Sequence, residues 1–153
     1  MQTARNISNH EILTGYISFM NRTARKFFPS NSLSKDVASD VYLKMFNYPT
    51  NKLMTMIYQG KLEAFIYVTI RNHVEDLRRV QKRRLMAESQ SFECGADIDL
   101  DDVVTKLNRL SDEEMKFLSI FVSVDANIHM RDKHGLSMRY VDDMLKSIKE
   151  KTK

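Results

Sequence analysis

The side chains of this chain that are best suited to chemistry are the cations of a short basic segment. Residues 71–84, RNHVEDLRRVQKRR, hold two acids, Glu75 and Asp76, among a larger number of cations. The cations are Arg71, Arg78, Arg79, Lys82, Arg83 and Arg84. Helical spacing places most of this positive charge on one face, which can follow a phosphate backbone. A solvated, salt-bridged helix surface is the alternative for a charge run taken alone.

Catalytic chemistry has no comparable set of residues. The histidines, His10, His73, His129 and His134, are scattered and accompany no nucleophile motif. The sequence has no glycine-rich phosphate loop, and its single cysteine, Cys94, excludes an intramolecular disulfide and a metal site built on several thiolates. We therefore expect no enzyme activity, no cofactor and no metal ion, and a reducing, cytoplasmic environment.

Long helices must position the basic segment, because only 4 Gly and 2 Pro interrupt the 153 residues. The expected fold class is all-α. Apolar spacing predicts a helix from His10 to Phe28, which Pro29 ends. It also predicts a second helix, up to Phe46, with Ser34 as its N-cap and Asp36 in its first turn.

Residues 61–86 form the most regular predicted element, whereas residues 47–60 support no assignment. The pattern predicts a long helix whose apolar side chains, from Leu62 to Val80, point one way. The opposite, exposed face is predicted to carry Arg71, Glu75, Arg78, Arg79 and Lys82.

Residues 87–102 lose this periodicity and are rich in acids, which predicts a flexible linker between two small helical units. The first unit then comprises residues 1–86 and the second unit residues 103–153. The second unit starts with a short helix at Val103.

Two capping signals divide the second unit into helices. Ser111 and Glu114 have the spacing of a capping box, and Ser137 is the predicted N-cap of the last helix. With Gly135 in the preceding turn, this end of the chain has a helix-turn-helix pattern. The side chains expected to point inward from the last helix are Met138, Val141, Leu145 and Ile148.

Two segments of the first unit resemble region two of bacterial RNA polymerase sigma factors: DVASDVYLKMF at residues 36–46 and AFIYVTIRNHVEDLRRVQKRR at residues 64–84. That family carries an acidic helix, followed by an aromatic helix that contains an asparagine and ends in basic residues. Ser39 stands where the family usually has glutamine. The corresponding positions of the aromatic helix are Phe65, Ile66, Tyr67 and Asn72.

The resemblance implies two binding surfaces. The clamp of core RNA polymerase would be bound by Asp36, Ser39, Asp40 and Leu43. The downstream promoter element and its melted strand would be bound by Tyr67, Arg71, Asn72, Arg78, Arg79, Lys82 and Arg83. Tyr48 and Tyr58 are further candidates for stacking on unpaired bases. The alternatives are that Tyr67 is a half-buried core aromatic, and that Asp36 and Asp40 stabilise the start of their helix.

The second unit resembles sigma region four, whose helix-turn-helix binds the upstream promoter element. The DNA-binding residues would be Ser137, Arg139, Tyr140, Asp143 and Lys146. Asp142 and Asp143 leave open that this helix docks on a protein instead.

Together these features predict a compact sigma factor of the sigma-seventy type, similar to the extracytoplasmic-function group. The partners implied are core RNA polymerase, through its clamp and flap surfaces, promoter DNA and an anti-sigma protein. We expect no membrane association and a cytoplasmic, nucleoid-associated location. Two other functions stay open: a polymerase-binding adaptor or inhibitor, anti-sigma-like or of a phage type, and a helix-turn-helix repressor that acts without polymerase.

Overall fold

The computed structural model describes residues 8–28, 31–86, 98–123 and 137–153, without the side chains of residues 31, 84–86 and 123. Over these residues all regular secondary structure is helical and no strand occurs, so the all-α prediction is confirmed there. The described helices are α1 (Asn9–Thr14), α2 (Ile17–Phe27), α3 (Asn31–Phe46), α4 (Thr50–Tyr58), α5 (Leu62–Met86), α6 (Leu100–Leu107), α7 (Asp112–Ser123) and α8 (Met138–Lys151).

The segment predicted as one helix from His10 to Phe28 forms two helices, α1 and α2, so the prediction of a single continuous helix was wrong. Ser8 starts α1 with a capping box, in which the Glu11 amide donates to Ser8 Oγ at 3.2 Å and the Ser8 amide donates to Glu11 Oε2 at 3.3 Å. Gly15 is the C-cap that ends α1 before α2 begins. The break was missed because the helical spacing of apolar residues continues across Gly15, from Leu13 in α1 into α2.

The start of α3 also differs from the prediction. α3 begins at Asn31, so Ser34 is a buried residue inside the helix and not its N-cap. Asp36 is therefore the sixth residue of α3 and lies beyond the first turn. Because attraction to a helix N-terminus falls off within the first turn, the start of α3 gives Asp36 little stabilisation.

Residues 47–60, which the sequence left unassigned, hold α4 and a tight turn. Gly60 ends this turn with φ +67°, a left-handed conformation that glycine adopts readily and residues with a Cβ rarely adopt. The Gly60 amide donates to the Ile57 carbonyl at 3.0 Å. α5 follows at Leu62, which confirms the helix predicted over residues 61–86.

α5 is the central helix of the described structure. It packs against α2, α3, α4, α6 and α7. Its apolar face is buried as predicted at Phe65, Ile66 and Ile70, but Arg71, predicted on the exposed face, is only 7% exposed.

The second predicted unit packs on the same helix. Leu100, Val103 and Leu107 of α6 and Phe117 and Leu118 of α7 join the core built around α5. Most of the predicted linker, residues 87–97, lies outside the described residues. α6 begins at Leu100, three residues before the predicted position, with the Asp99 side chain accepting from the Asp102 amide at 3.1 Å.

The caps predicted for the last two helices are confirmed. The Ser111 amide donates to Glu114 Oε2 at 2.9 Å, and the Glu114 amide donates to Ser111 Oγ at 3.2 Å. Ser137 caps α8 by accepting from the Tyr140 amide at 3.2 Å. The predicted Gly135 turn and the helix before it fall in residues 124–136, which the structure does not describe.

The predicted inward face of α8 is only partly confirmed. Val141 and Ile148 are buried and Leu145 is half-buried, all three within the core. The prediction was wrong for Met138, which is 42% exposed. Met138 is the first residue of α8, so within this helix only the residues that follow it can cover its side chain.

Candidate functional site

The residues predicted to bind polymerase lie together on one side of α3. Asp36, Ser39, Asp40 and Leu43 follow the spacing of one helical face, and all four are exposed. Leu43 is 59% exposed. The opposite side of α3 carries buried apolar residues such as Val41 and Met45, which fix how the helix sits on α2 and α5.

A groove of about 350 Å³ runs beside this face, between α2 and α3. Its walls are largely apolar, and Ile17 at 40% and Leu43 at 59% keep part of that surface open to solvent. The lining residues are Ile17, Met20, Asn21, Ala38, Ser39, Tyr42 and Leu43. The apolar spacing of this segment predicted a helix and did not indicate a groove.

Asp40 connects this exposed face to the interior of the bundle. Its Oδ2 lies 3.2 Å from Nε2 of His73, which is 6% exposed on α5. The other ring nitrogen of His73, Nδ1, is buried without a hydrogen-bond partner in the described structure. Asp40 therefore has a structural role in joining α3 to α5 in addition to its place on the exposed face.

The predicted DNA-binding residues of α5 divide into two groups, the first of which is covered. Tyr67 packs between Phe27 of α2, at a ring distance of 5.8 Å, and Phe121 of α7, at 5.9 Å. Burial raises the pKa of Tyr67, and the nearby charge of Arg71 partly offsets this.

Arg71 and Asn72 hold the C-terminal end of α8. Arg71 Nη2 donates to the Thr152 carbonyl at 3.0 Å and to Thr152 Oγ1 at 2.6 Å. Asn72 Nδ2 donates to the same carbonyl at 3.0 Å, and Asn72 Oδ1 accepts from Arg71 at 3.1 Å. Burial lowers the pKa of Arg71, and its Nε is buried without a partner. We call this group the Thr152 latch: Arg71, Asn72 and Thr152.

The second group lies on the exposed C-terminal half of α5. Arg78, Arg79, Lys82 and Arg83 are all exposed. Arg78 Nη2 donates to the Phe27 carbonyl at 2.9 Å, and Arg79 Nη1 lies 3.5 Å from Asp76. These four cations thus differ in exposure from Tyr67, Arg71 and Asn72, with which the resemblance had combined them in one site. Arg78 still lines a groove together with Tyr67 and Arg71.

The predicted upstream DNA-binding residues lie along α8 and are mostly exposed. Ser137, Arg139, Asp143 and Lys146 face solvent. Tyr140 is half-buried: its ring contacts Phe117 at 6.1 Å, and its hydroxyl donates to Glu113 Oε1 at 2.8 Å. That hydrogen bond raises the pKa of Tyr140.

Of the two further stacking candidates, Tyr58 is open and Tyr48 is not. Tyr58 is 83% exposed at the end of α4. Tyr48 is 9% exposed, and its hydroxyl donates to Asp101 Oδ1 at 2.7 Å, so it links the start of α4 to α6. Burial, followed by this hydrogen bond, raises the pKa of Tyr48, whereas the bonds from Tyr48 and Lys52 lower the pKa of Asp101.

Within the part of the chain that the structure describes, no three metal-ligating side chains converge on a common point. None of the helices described there combines the length and the apolar composition that crossing a bilayer requires. Comparison of the chain with protein-family models, curated proteins and solved structures finds no match.

Proposed function

We propose that this protein is a sigma-like transcription initiation factor that binds core RNA polymerase and directs promoter recognition and melting. The observation that carries the proposal is the exposed face of α3, where Ser39 and Leu43 line an apolar groove and Asp36 lies on the same face of the helix. Asp36 lies beyond the first turn of α3, and Leu43 is 59% exposed, so helix stabilisation and core packing explain neither residue. A polymerase clamp that contacts this face gives both of them a role.

Promoter DNA would be bound by two further surfaces, one on α5 and one on α8. The exposed cations of α5 would supply salt-dependent affinity for phosphates, and Arg139 and Lys146 of α8 would reach the upstream element. In this proposal residues 1–86 and 103–153 act as two units that residues 87–102 connect. Such a factor works in the cytoplasm, on the nucleoid.

Strand melting through Tyr67 and Asn72 requires a change of arrangement. Tyr67 lies between Phe27 and Phe121, and Asn72 donates to the Thr152 carbonyl. The two residues become available to an unpaired strand only when α7 and α8 leave α5. Initiation by this factor therefore includes opening of the Thr152 latch.

The latch also favours a second candidate function, a polymerase-binding adaptor or inhibitor. If the latch stays closed on polymerase, the α3 face remains able to dock while Arg71 and Asn72 remain occupied by Thr152. Such a protein would hold polymerase without opening promoters.

Polymerase capture tests the docking step that both functions share. Leu43→Ser should weaken capture of core RNA polymerase by the immobilised full-length protein about tenfold, since a central apolar contact contributes on the order of 1–2 kcal/mol. Leu33→Ser is the matched control, because Leu33 is 51% exposed on the same helix outside the groove. Equal losses for the two variants, or no loss for Leu43→Ser, would refute docking through this face.

A further inference from the structure

The last turn of α2 carries cations that belong to none of the surfaces proposed so far. Residues 17–28, ISFMNRTARKFF, contain no acid. Arg25 and Lys26 lie in the last turn and are both exposed. Cations near a helix C-terminus stabilise the helix dipole, but this local effect does not explain why more cations lie beside them on another helix.

Arg78 joins this turn to the basic half of α5. Its Nη2 donates to the Phe27 carbonyl at 2.9 Å, and its guanidinium lies 5.4 Å from the centre of the Phe28 ring. The backbone of the last turn of α2, which carries Arg25 and Lys26, therefore lies beside Arg78. Lys82 follows Arg78 by one helical turn on the same side of α5.

The charge of this combined surface is one-sided. Residues 77–83 of α5, LRRVQKR, contain four cations and no acid, as residues 17–28 also lack acids. The nearest acid in sequence, Asp76, lies 3.5 Å from Arg79, and the side chains of Arg79 and Asp76 are 64% and 45% exposed. Such an exposed pair offsets little of the positive potential.

We propose that Arg25 and Lys26 of α2, together with Arg78, Arg79, Lys82 and Arg83 of α5, form one binding surface for the backbone of duplex DNA. It deepens the function proposed above by adding a second helix to the DNA contact. It requires no opening of the Thr152 latch, since all six side chains are exposed in the described arrangement. The surface makes the first, sequence-independent contact with a promoter, before Tyr67 and Asn72 are uncovered.

The chemistry of the surface favours duplex over single-stranded DNA. Sites for single strands combine cations with exposed aromatic rings on which bases stack. The aromatic rings of this surface, Phe27 and Phe28, are half-buried, and the Arg78 guanidinium lies over Phe28. Contacts to phosphates alone remain, which suit a duplex whose bases are already stacked.

The test is the salt dependence of duplex binding by the full-length protein without polymerase. Fluorescence anisotropy with a labelled duplex of arbitrary sequence gives the slope of log affinity against log salt concentration. Arg25→Gln/Lys26→Gln should reduce the size of this slope by about two, because each lost phosphate contact contributes about 0.9.

Arg109→Gln/Lys116→Gln is the matched control, with the same residue types and the same loss of charge. Both control residues are exposed, and Lys116 lines a groove with Lys61 at the start of α5. Lys61 and Arg78 are 17 residues apart, which corresponds to roughly 25 Å along the helix. The control should leave the slope unchanged.

An unchanged slope for Arg25→Gln/Lys26→Gln, or an equal reduction in the control, would overturn the proposal. A reduction seen with a labelled single strand but not with the duplex would overturn the choice of ligand. If the slope is unchanged but polymerase capture is normal, this DNA-binding surface is rejected and the proposed docking face of α3 still stands. Loss of capture by Leu43→Ser is measured separately, so the two proposals fail independently.

Discussion

Glu114 is a buried carboxylate whose hydrogen-bond partners come from the start of α7 and from the end of α8. It accepts from Lys151 Nζ at 2.9 Å, from Ser147 Oγ at 2.7 Å and from the Ser111 amide at 2.9 Å. Burial by itself raises the pKa of Glu114, but the hydrogen bonds outweigh it and lower the pKa from 4.5 to about 2. Glu114 thus attaches α8 to the start of α7.

This lowered pKa predicts acid sensitivity. Between about pH 4.5 and pH 2 Glu114 stays ionised in the folded protein but binds a proton in the unfolded chain, so its contribution to stability is lost as the pH falls through this range. Above that range the contribution is complete. Thermal unfolding of the wild type should therefore lose more stability on acidification than that of Glu114→Gln, which has no proton to bind.

The comparison of the two proteins is needed because Asp101, whose pKa is also lowered, adds acid sensitivity of the same sign. That part is common to both proteins and cancels in the difference. If the wild type and Glu114→Gln lost the same stability between pH 4.5 and pH 2, the role given to Glu114 would be contradicted.

At the level of single residues, local capping was predictable and burial through distant contacts was not. Ser111 and Glu114 were identified correctly, because a capping box involves residues three apart. Arg71 was placed on the exposed face, because its polar partner Thr152 lies 81 residues away. Helical periodicity carries no information about such a partner.

Among the helices, α8 is the one whose C-terminal end covers Asn72, a proposed DNA-binding residue. It packs on α7, and its C-terminal end is held on α5 by the Thr152 latch. Thr152 is fully buried, and its hydroxyl also donates to the Ile148 carbonyl at 2.7 Å. Loss of the latch should therefore release α8 before the remaining helices.

Thr152→Val tests this role with little change in shape. It removes the hydroxyl that accepts from Arg71. The free energy of unfolding should therefore fall by about 2 kcal/mol, a typical contribution of a hydrogen bond to a charged group. Amide hydrogen exchange should be faster in α8, and binding of a single-stranded oligonucleotide should be stronger because Asn72, which bonds Thr152, is uncovered more often.

Thr105→Val is the control for the latch, because the Thr105 hydroxyl likewise donates to the carbonyl four residues before it, at 3.0 Å, but accepts no bond from another helix that this structure records. It should leave both α8 exchange and oligonucleotide binding close to wild type. Equal changes in the two variants would show that the latch does not control α8.

The helices themselves were predictable to different degrees. α5 matched its prediction because 25 residues of regular apolar spacing outweigh local irregularities. α3 was predicted to start too late, because Ser34 has the side chain of an N-cap although it is buried inside the helix. The groove between α2 and α3 was not predictable, since it depends on how two helices pack and not on either pattern alone.

At the scale of the whole molecule, the described helices leave the proposed docking face of α3 exposed and cover the residues proposed to bind a single strand. Leu43 and its groove are open on α3, whereas Tyr67 and Asn72 lie under the C-terminal helices. The division into two units was expected from the acidic segment, but no sequence pattern indicated that α6 and α7 pack on α5. Those contacts join residues far apart in the chain, so no local pattern records them.

Run-off transcription with core RNA polymerase from the organism that encodes this chain tests the central claim most directly. Promoter fragments from that genome are transcribed with and without the full-length protein. We predict discrete transcripts whose appearance depends on the protein, and their loss when Leu43→Ser replaces the wild type while Leu33→Ser supports them. Polymerase capture without any protein-dependent transcript would contradict initiation and establish the adaptor or inhibitor instead.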